Sequence, residues 1–568
     1  MAWYDEAVFY HIYPIGLTGA PKKNDYGEPV HRLPRLLPWI EHIKKLGFTA
    51  LYIGPLFQSV GHGYETTDYK TLDCRLGTNE DLKDFVAACH KSGIKVIFDG
   101  VFNHTGRDFF AFKDIQANRE NSPYRDWYCN VNFFGDTEYH DGFSYENWGG
   151  YNLLAKLNQR NPAVRDYILD VVRFWVSEFD VDGIRLDAAD VLDFEFMKAL
   201  RSTADGVKPD FWLMGEVIHG DYSRWANEKT LHSVTNYALH KALYSGHNDH
   251  NYFEIAHTVE RTRGMLPSHI RLYNFVDNHD VERISTKLMN KAHYLPVHIL
   301  LYTLPGIPSV YYGSEFGIEG RKERYSDDSL RPYINLEDHS GDDENNPCTS
   351  LIASLGKIHS QQKEELVYGD YRQLCLTNQQ YAFARGSLII AVNNSDGEAW
   401  LNVEAKEAAY VGLLSGRRLA GSGGRLNFSL PGCSGDIFVP ETGESASSGN
   451  EDKAASKLIT SAAPPRNETA DLKASEDRNV SETKAQSGQK AAGTGSQAGG
   501  SETAGKESGM PLEEIEIPDI PYDLMTVEQL QAVILSKLAR NGPVTEQMRR
   551  DVTENIWHNS LVNWANSF

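Results

Sequence analysis

Short apolar runs alternate with helix-like segments from the start of the chain to about residue 320. The runs are FYHIYP (9–14), FTALYIGPLF (48–57), IKVIFDGVF (94–102), VDGIRLDA (181–188), FWLMGEV (211–217), LHSVTNY (231–237), LYNFVDNHD (272–280) and IPSVYYGSE (307–315). Eight strands interleaved with helices predict an α/β protein with a closed parallel (β/α)8 TIM barrel. A doubly wound open sheet is the alternative, but no glycine-rich dinucleotide or phosphate motif follows the first runs.

The clearest helix is predicted over 161–179. Asn161 can cap it and Pro162 suits its first turn. Apolar residues recur at helical spacing along one side, at Val164, Ile168, Val171, Val172, Trp175 and Phe179. This face is expected to pack on the sheet.

Changes in the pattern divide the chain into further regions. Residues 105–155 are rich in aromatic residues, Gly and Asn, which predicts an insertion domain after the third strand or a wall of the active site. The barrel is then split into 1–104 and 156–360. Strand-like pieces with polar turns over 361–440 predict a C-terminal β-sandwich domain.

The last part of the chain has a different composition. Residues 441–512 are dominated by Ser, Ala, Gly, Glu, Lys and Thr, which predicts a disordered linker. Apolar stripes return over 513–568 and predict a tail of two helices, the first with Val527, Leu530, Val533, Ile534 and Leu538 on one face. Two short helices cannot bury their stripes alone, so the tail should dock on this chain or on an unknown protein.

Charge and cysteine content exclude several classes of function. The chain has 56 Lys and Arg against 78 Asp and Glu, a net charge of −22, which argues against nucleic acid and anionic membranes as partners. The six cysteines form no CxxC pair, so neither a zinc site nor a disulfide framework is indicated. No signal sequence or apolar stretch of membrane-spanning length is visible, which predicts a cytoplasmic location.

Polar residues recur where the apolar runs end. Asp99, Asn103 and His104 follow the third run, Arg185 and Asp187 lie in the fourth, Glu216 in the fifth, and His279 and Asp280 end the seventh. The carboxyl ends of parallel barrel strands converge on one face, so these side chains should surround one pocket. Two facing carboxyl groups, one ionised and one protonated, are what cleavage of a glycosidic bond requires.

The fourth and fifth runs indicate how the two carboxyl groups would differ. Arg185 and Asp187 point the same way along a strand, so Arg185 is expected to keep Asp187 ionised. Glu216 stands among apolar residues in LMGEV, where burial could raise its pKa and keep it protonated.

At these residues the chain resembles the alpha-amylase family of glycoside hydrolases. DGVFNH (99–104), GIRLD (183–187), GEV (215–217) and FVDNHD (275–280) occur in that family's order, and VYYGSE (310–315) is a further match. LLAKLN (153–158) and HSVTNY (232–237) are more similar to the neopullulanase and cyclomaltodextrinase group, although Ala155 replaces a proline of that group. The resemblance covers about residues 5–440.

The resemblance implies a role for each matching residue. Asp187 matches the catalytic nucleophile, Glu216 the general acid/base, and Asp280 the aspartate that stabilises the transition state. The residues implied to position the nucleophile or the sugar are Tyr64, His104, Arg185 and His279. Asp327 and Arg331, in DDSLRP, resemble the pair that grips the non-reducing glucose. Asp190 and Val191 replace the Lys-His of many alpha-amylases, so leaving-group preference is expected to differ.

The leading hypothesis is a retaining hydrolase that cleaves α-1,4 bonds of maltodextrins or cyclodextrins through a covalent glycosyl-enzyme intermediate, with α-1,6 cleavage left open. A second hypothesis is a transglycosylase or isomerase acting on small α-glucosides through the same intermediate. A third is a barrel that has lost catalysis and serves as a binding subunit. No cofactor is expected to be required. Calcium stays open, because Asn103 matches a calcium-ligating position of many family members.

Overall fold

The computed structural model describes residues 2–323, 326–441, 527–541 and 552. The chain divides into two compact units, residues 1–471 and residues 472–568. In the first unit the strands up to residue 311 are β1 (Phe9–Ile12), β2 (Ala50–Ile53), β3 (Phe57–Ser59), β4 (Thr66–Leu72), β5 (Lys95–Gly100), β6 (His104–Thr105), β7 (Asn147–Trp148), β8 (Tyr151–Lys156), β9 (Gly183–Leu186), β10 (Trp212–Gly215), β11 (Ser233–Val234), β12 (Tyr273–Phe275) and β13 (Ile307–Tyr311).

Eight of these strands form the barrel, in the order β11-β10-β9-β5-β2-β1-β13-β12. All neighbouring pairs are parallel, and a parallel bridge between Thr235 and Tyr273 joins the two outer strands and closes the sheet. Each barrel strand lies within one of the eight apolar runs, so the predicted TIM barrel is confirmed.

The helices around the strands are α1 (Pro14–Leu17), α2 (Leu37–Lys45), α3 (Asn79–Lys91), α4 (Phe110–Asn118), α5 (Pro162–Phe179), α6 (Phe194–Val207), α7 (Tyr237–Asn248), α8 (Tyr252–Met265), α9 (Ile284–Lys287), α10 (Tyr294–Thr303), α11 (Asp342–Asn345) and α12 (Pro347–Gln361). Helix α5 begins as predicted, because the Asn161 side chain accepts a hydrogen bond from the Ala163 N–H at 2.9 Å. All six residues of its predicted apolar face are buried.

The alternation of side chains in the barrel strands separates two apolar layers. Ile184 and Leu186 of β9 belong to the large core between sheet and helices, whereas Phe9, Trp212 and Tyr273 fill the barrel interior. The rings of Phe9 and Trp212 stack at a centroid distance of 5.0 Å. Between Ile184 and Leu186, Arg185 faces the interior, above this apolar plug.

The segment between β5 and α5 carries structure of its own. Strands β6, β8 and β7 form a small antiparallel sheet, and α4 packs beside it through an aromatic cluster that includes Phe112, Tyr128 and Tyr145. Because β6 begins at His104, this sheet starts directly beside the carboxyl end of β5.

An antiparallel domain follows the barrel. Its strands are β14 (Tyr371–Leu376), β15 (Gln380–Arg385), β16 (Leu388–Asn393), β17 (Ala399–Glu404), β18 (Ala409–Gly412), β19 (Arg418–Ser422), β20 (Arg425–Leu430) and β21 (Ser434–Pro440). They enclose a separate apolar core with Leu401, Phe428 and Phe438. The predicted all-β domain after the barrel is therefore confirmed.

In the second unit the structure describes helix α13 (Val527–Asn541), where Leu530, Val533 and Ile534 of the predicted stripe are buried. The predicted linker lies outside the described residues except for Glu441, and the second tail helix does so except for Val552. The docking of the tail stays a prediction. Among the helices that the structure describes, none is long and apolar enough to cross a membrane.

Candidate active site

Polar side chains collect at the carboxyl ends of the barrel strands. Asp99 and Arg185 lie near the ends of β5 and β9, Asp187 directly follows β9, Glu216 directly follows β10, and Asp280 lies beyond β12. A continuous network of polar contacts joins all the residues predicted for the site, which are Tyr64, His104, Arg185, Asp187, Glu216, His279, Asp280, Asp327 and Arg331.

Arg185 is the centre of this network. Its Nη1 donates to Asp99 Oδ1 at 2.8 Å and to Asp187 Oδ1 at 2.9 Å, and its Nη2 lies 2.8 Å from Glu216 Oε2. The guanidinium is buried, and the Asp187 residue is only 8 % exposed. One positive charge therefore serves three carboxyl groups in a setting where water screens little.

This imbalance affects the protonation of Asp187. Burial, together with the negative charges of Glu216 and Asp99, holds the pKa of Asp187 well above its usual range, although Arg185 acts to lower it. The expectation that Arg185 simply keeps Asp187 ionised is incomplete, because the guanidinium is divided among three carboxyl groups. Asp187 therefore takes up a proton more readily than an isolated aspartate does.

Glu216 has further contacts that fix its orientation. The backbone N–H of Ala188 donates to Oε2 at 3.1 Å, and the hydroxyl of Tyr237 donates to Oε1 at 3.2 Å. Asn278 Nδ2 donates in turn to the Tyr237 hydroxyl at 3.1 Å. Both carboxyl oxygens of Glu216 thus accept hydrogen bonds, which hold the carboxyl group in one orientation.

Asp280 lies in the opposite electrostatic setting. His279 Nε2 is 3.0 Å from Oδ2, and Arg331 Nη2 donates to Oδ1 at 2.9 Å. Burial alone would raise the pKa of Asp280, but His279 and Arg331 hold it well below the usual range. Asp280 is therefore anionic. Arg331 Nη2 also donates to Asp327 Oδ2 at 3.2 Å, which places the predicted Asp327–Arg331 pair beside Asp280.

Tyr64 connects the group around Arg185 with the group around Asp280. Its hydroxyl donates to Asp99 Oδ2 at 3.1 Å and contacts His279 Nε2, and its ring is nearly parallel to that of His279 at 5.6 Å. His104 Nε2 donates to the Tyr64 carbonyl at 3.1 Å, and its Nδ1 lies 3.2 Å from Asn103 Nδ2. Burial lowers the pKa of His104 to about 3, so it is neutral. His104 lies behind Tyr64 and positions it.

Two residues near the carboxyl groups were not assigned a role from the sequence. Asp99 was noted at the end of its run, and the register of β5 and β9 places it directly opposite Arg185. Tyr237, the last residue of the sixth apolar run, contacts Glu216. Both residues could have been noticed from the sequence because each lies near the end of an apolar run. Their contact partners could not be predicted, because they depend on how the strands pair.

The structure gives two observations that bear on calcium binding at Asn103. Asn103 Oδ1 is buried without a hydrogen-bond partner, which is the feature a metal ligand would show. However, the described residues include no group of three or more His, Cys, Asp or Glu side chains arranged to hold a metal ion. Calcium also binds amide and backbone carbonyl oxygens, so calcium binding at Asn103 stays a prediction.

Asp190 lies on a short 3-10 turn, Ala189–Val191, which is joined to the site through the contact between the Ala188 N–H and Glu216. Burial and the charge of Glu216 raise the pKa of Asp190 to about 6. None of the ion pairs formed by the described residues involves Asp190, and Val191 is exposed. The turn therefore adds an uncompensated carboxyl group and an apolar side chain beside Glu216.

Comparisons with known proteins identify the family of the barrel domain. Residues 36–363 match a family model described as the alpha amylase catalytic domain. The chain is 33 % identical over 432 residues to a cyclomaltodextrinase of Thermoanaerobacter pseudethanolicus, across 71 % of this chain and 73 % of that protein. It is 29 % identical over 464 residues to neopullulanase 2 of Thermoactinomyces vulgaris, across 75 % and 76 %. A solved structure from Thermus thermophilus matches with a TM-score of 0.69 at 29 % identity, covering 78 % of this chain and all of that one.

Proposed function

The chain belongs to the alpha-amylase family of glycoside hydrolases, and we propose that it is a retaining enzyme that hydrolyses α-1,4 bonds of maltodextrins or cyclodextrins. The observation that carries the proposal is the guanidinium of Arg185, which holds Asp187 and Glu216 on its two Nη atoms. Retaining enzymes need their two carboxyl groups about 5–5.5 Å apart, and a shared guanidinium supports such close spacing.

In the first step, an oxygen of ionised Asp187 attacks the anomeric carbon while the glycosidic C–O bond breaks. Glu216 gives its proton to the leaving oxygen, and a covalent glycosyl ester forms on Asp187. In the second step, Glu216 takes a proton from water as the water oxygen attacks the anomeric carbon and the ester bond breaks. Two inversions give a product with the α configuration of the substrate.

The charges around Asp187 and Glu216 are suited to these two reaction steps. The transition state carries positive charge on the sugar, and anionic Asp280 is the group that can stabilise it. When Asp187 becomes an ester, its negative charge disappears, and Arg185 is left with Asp99 and Glu216. Ionised Glu216 is then held by Arg185, Ala188 N–H and the Tyr237 hydroxyl. These contacts favour Glu216 as the base of the second step.

The choice of substrate rests on the relatives and on the far end of the site. The similar proteins are named as a cyclomaltodextrinase and a neopullulanase, which supports short or cyclic α-glucans and makes α-1,6 cleavage a reasonable second activity. Asp327 and Arg331, fixed against Asp280, would grip the sugar at the non-reducing side. We propose no cofactor for the reaction.

The test is product analysis on maltotriose, a cyclodextrin, pullulan and soluble starch, with proton NMR of the first anomer released. The α-anomer is expected first, and Asp187→Asn and Glu216→Gln should each abolish turnover. Early appearance of the β-anomer would contradict the retaining mechanism. Transfer products in place of hydrolysis products would favour the transglycosylase hypothesis.

A further inference from the structure

A cavity lies at the rim of the barrel, apart from the carboxyl groups. Its volume is about 890 Å³, within the range of small-molecule binding sites. It opens between α2 and the segment that follows β13, and its walls include Trp39, His42, Phe316, Tyr333 and Ser340. None of the residues predicted for the active site lines it.

Aromatic side chains form much of this cavity. Trp39 and Phe316 are buried beneath it, whereas the Tyr333 residue is 58 % exposed at its edge. The Phe316 ring stacks on His339 at 3.7 Å. A rigid floor with an exposed aromatic ring offers a flat apolar surface, which suits the C–H faces of a sugar ring.

The charges that line the cavity nearly cancel. Three cationic and four acidic side chains contribute to the lining, namely Arg35, Lys44, Lys45, Glu41, Glu337, Asp342 and Asp343. Lys45 is paired with Asp343. A phosphate or carboxylate ligand would need an excess of cations, whereas a neutral ligand with many hydroxyl groups can use both signs as hydrogen-bond partners.

The edge of the cavity and the active site are formed in part by the same segment of the chain. Tyr333 stands two residues after Arg331, which binds Asp280. The backbone on both sides of Arg331 is fixed, because the Leu330 carbonyl accepts from Arg283 Nη2 at 3.0 Å and the Pro332 carbonyl accepts from the Tyr312 hydroxyl at 2.8 Å. Tyr333 is therefore held in place by the same segment that presents Arg331.

We propose that this cavity is a second binding site for α-glucan, which holds part of an oligosaccharide outside the catalytic cleft with one sugar ring on Tyr333. The inference rests on the proposed function for the identity of the ligand. The aromatic edge, the balanced charge and the short chain distance from Tyr333 to Arg331 favour a neutral glucan over a peptide or a second copy of this chain.

The experiment is calorimetric titration of the full-length Glu216→Gln protein with maltoheptaose. Two sites per chain are expected for this protein, and one after the additional change Tyr333→Ala. Ser340→Trp, which fills the cavity from an exposed position, should also leave one site. Trp400→Ala is the matched control, since Trp400 is a 74 % exposed aromatic residue on β17 of the C-terminal domain, and it should leave two.

The possible results separate the two proposals. A single site in the Glu216→Gln protein, or two sites that persist in both cavity variants, would overturn the second site even if the wild type hydrolyses maltotriose. A second site lost with Trp400→Ala would place the binding on the β-domain and also overturn it. Failure of the wild type to act on any α-glucan would instead count against the proposed function. Thermal melting should show that each variant is folded.

Discussion

The two ends of strand β9 carry buried carboxyl groups in opposite electrostatic settings. At the amino end, Asp182 is 1 % exposed and lies 2.7 Å from His90 Nε2, 2.9 Å from Lys208 Nζ and 3.0 Å from Lys95 Nζ. At the carboxyl end, Asp187 shares one guanidinium with two further carboxyl groups. Lys95, Lys208 and His90 converge on one buried carboxylate at the amino end, whereas carboxyl groups outnumber cations at the carboxyl end.

The pKa values of Asp182 and Asp187 are shifted in opposite directions by these surroundings. Burial would raise the pKa of Asp182, but hydrogen bonds from His90, the Val96 N–H, Lys208 and Lys95 hold it below the usual range. The pKa of Asp187 is held above the usual range. The amino end is arranged to keep a charge fixed, which stabilises the barrel. The carboxyl end keeps repulsion that costs stability and leaves a carboxyl group able to exchange a proton and react.

The largest effect is expected from Asp187→Asn. Losing the nucleophile should reduce kcat on maltotriose by about 10⁴-fold or more. Because the change removes one of three competing negative charges, the melting temperature at pH 7 should stay the same or rise. Steady-state kinetics and calorimetry measure the two quantities. A lower melting temperature with substantial remaining activity would mean that Asp187 is a structural residue.

Asp182→Asn should have the reverse outcome. It removes the buried carboxylate that Lys95, Lys208 and His90 share, and should lower the free energy of unfolding by about 2–4 kcal/mol. Lys208 and His90 keep their contacts with Asp180. The kcat value should change less than twofold, since Asp182 is at the opposite end of β9 from Asp187. Because the pKa of Asp182 is lower in the folded than in the unfolded state, its charge stabilises the fold at pH values above the unfolded-state pKa. That contribution is lost as the pH falls below about 4. The difference in the free energy of unfolding between wild type and variant, measured by denaturant unfolding, should therefore shrink below pH 4. A large loss of kcat in the variant would contradict the division between a structural and a reactive end of β9.

The sequence allowed the barrel to be predicted because its strands are short apolar runs that alternate with helix-like segments, and several runs carry polar residues near their carboxyl ends. The same ends located Asp187, Glu216 and Asp280, since parallel strands bring their carboxyl ends together. The partners of these residues could not be predicted. The pairing of Arg185 with Asp99 depends on the register of β5 and β9, which the apolar pattern leaves open.

Other features depend on contacts between distant segments. His90 and Lys95, Asp182, and Lys208 come from three distant parts of the chain, so nothing in VDGIRLDA indicates the partners of Asp182. The cavity beside Tyr333 depends on the path of the chain after β13, where the sequence shows no regular period. Regular patterns predicted the elements of the fold, and these irregular contacts required the structure.

Asp99→Asn tests the excess of carboxyl groups over cations at the carboxyl end of β9 without removing a reacting group. The charge of Asp99 raises the pKa of Asp187, so the variant should lower that pKa and give Arg185 more fully to Asp187. The nucleophile must be ionised, so kcat/KM falls as pH decreases through the pKa of Asp187. We expect the acid limb of kcat/KM to move down by about one pH unit in the variant. An unchanged limb, with activity preserved, would show that Asp99 only orients Arg185. A shift to higher pH would contradict the electrostatic argument.

The smallest effect is expected beside Glu216, at the turn carrying Asp190 and Val191. Asp190 is a carboxyl group without an ionic partner among the described residues, and Val191 offers no hydrogen bond to a leaving-group sugar. Asp190→Lys with Val191→His would supply a cation and a hydrogen-bond donor, which are worth about 1–3 kcal/mol together. The wild type should act weakly on soluble starch relative to maltotriose, and the double variant should raise the starch-to-maltotriose ratio of kcat/KM about tenfold. Asp190→Asn is the control, because it removes the charge without adding a donor of lysine's reach, and it should change the ratio less. If the wild type already prefers starch by a wide margin, or if the double variant leaves the ratio unchanged, the turn does not contact the leaving group.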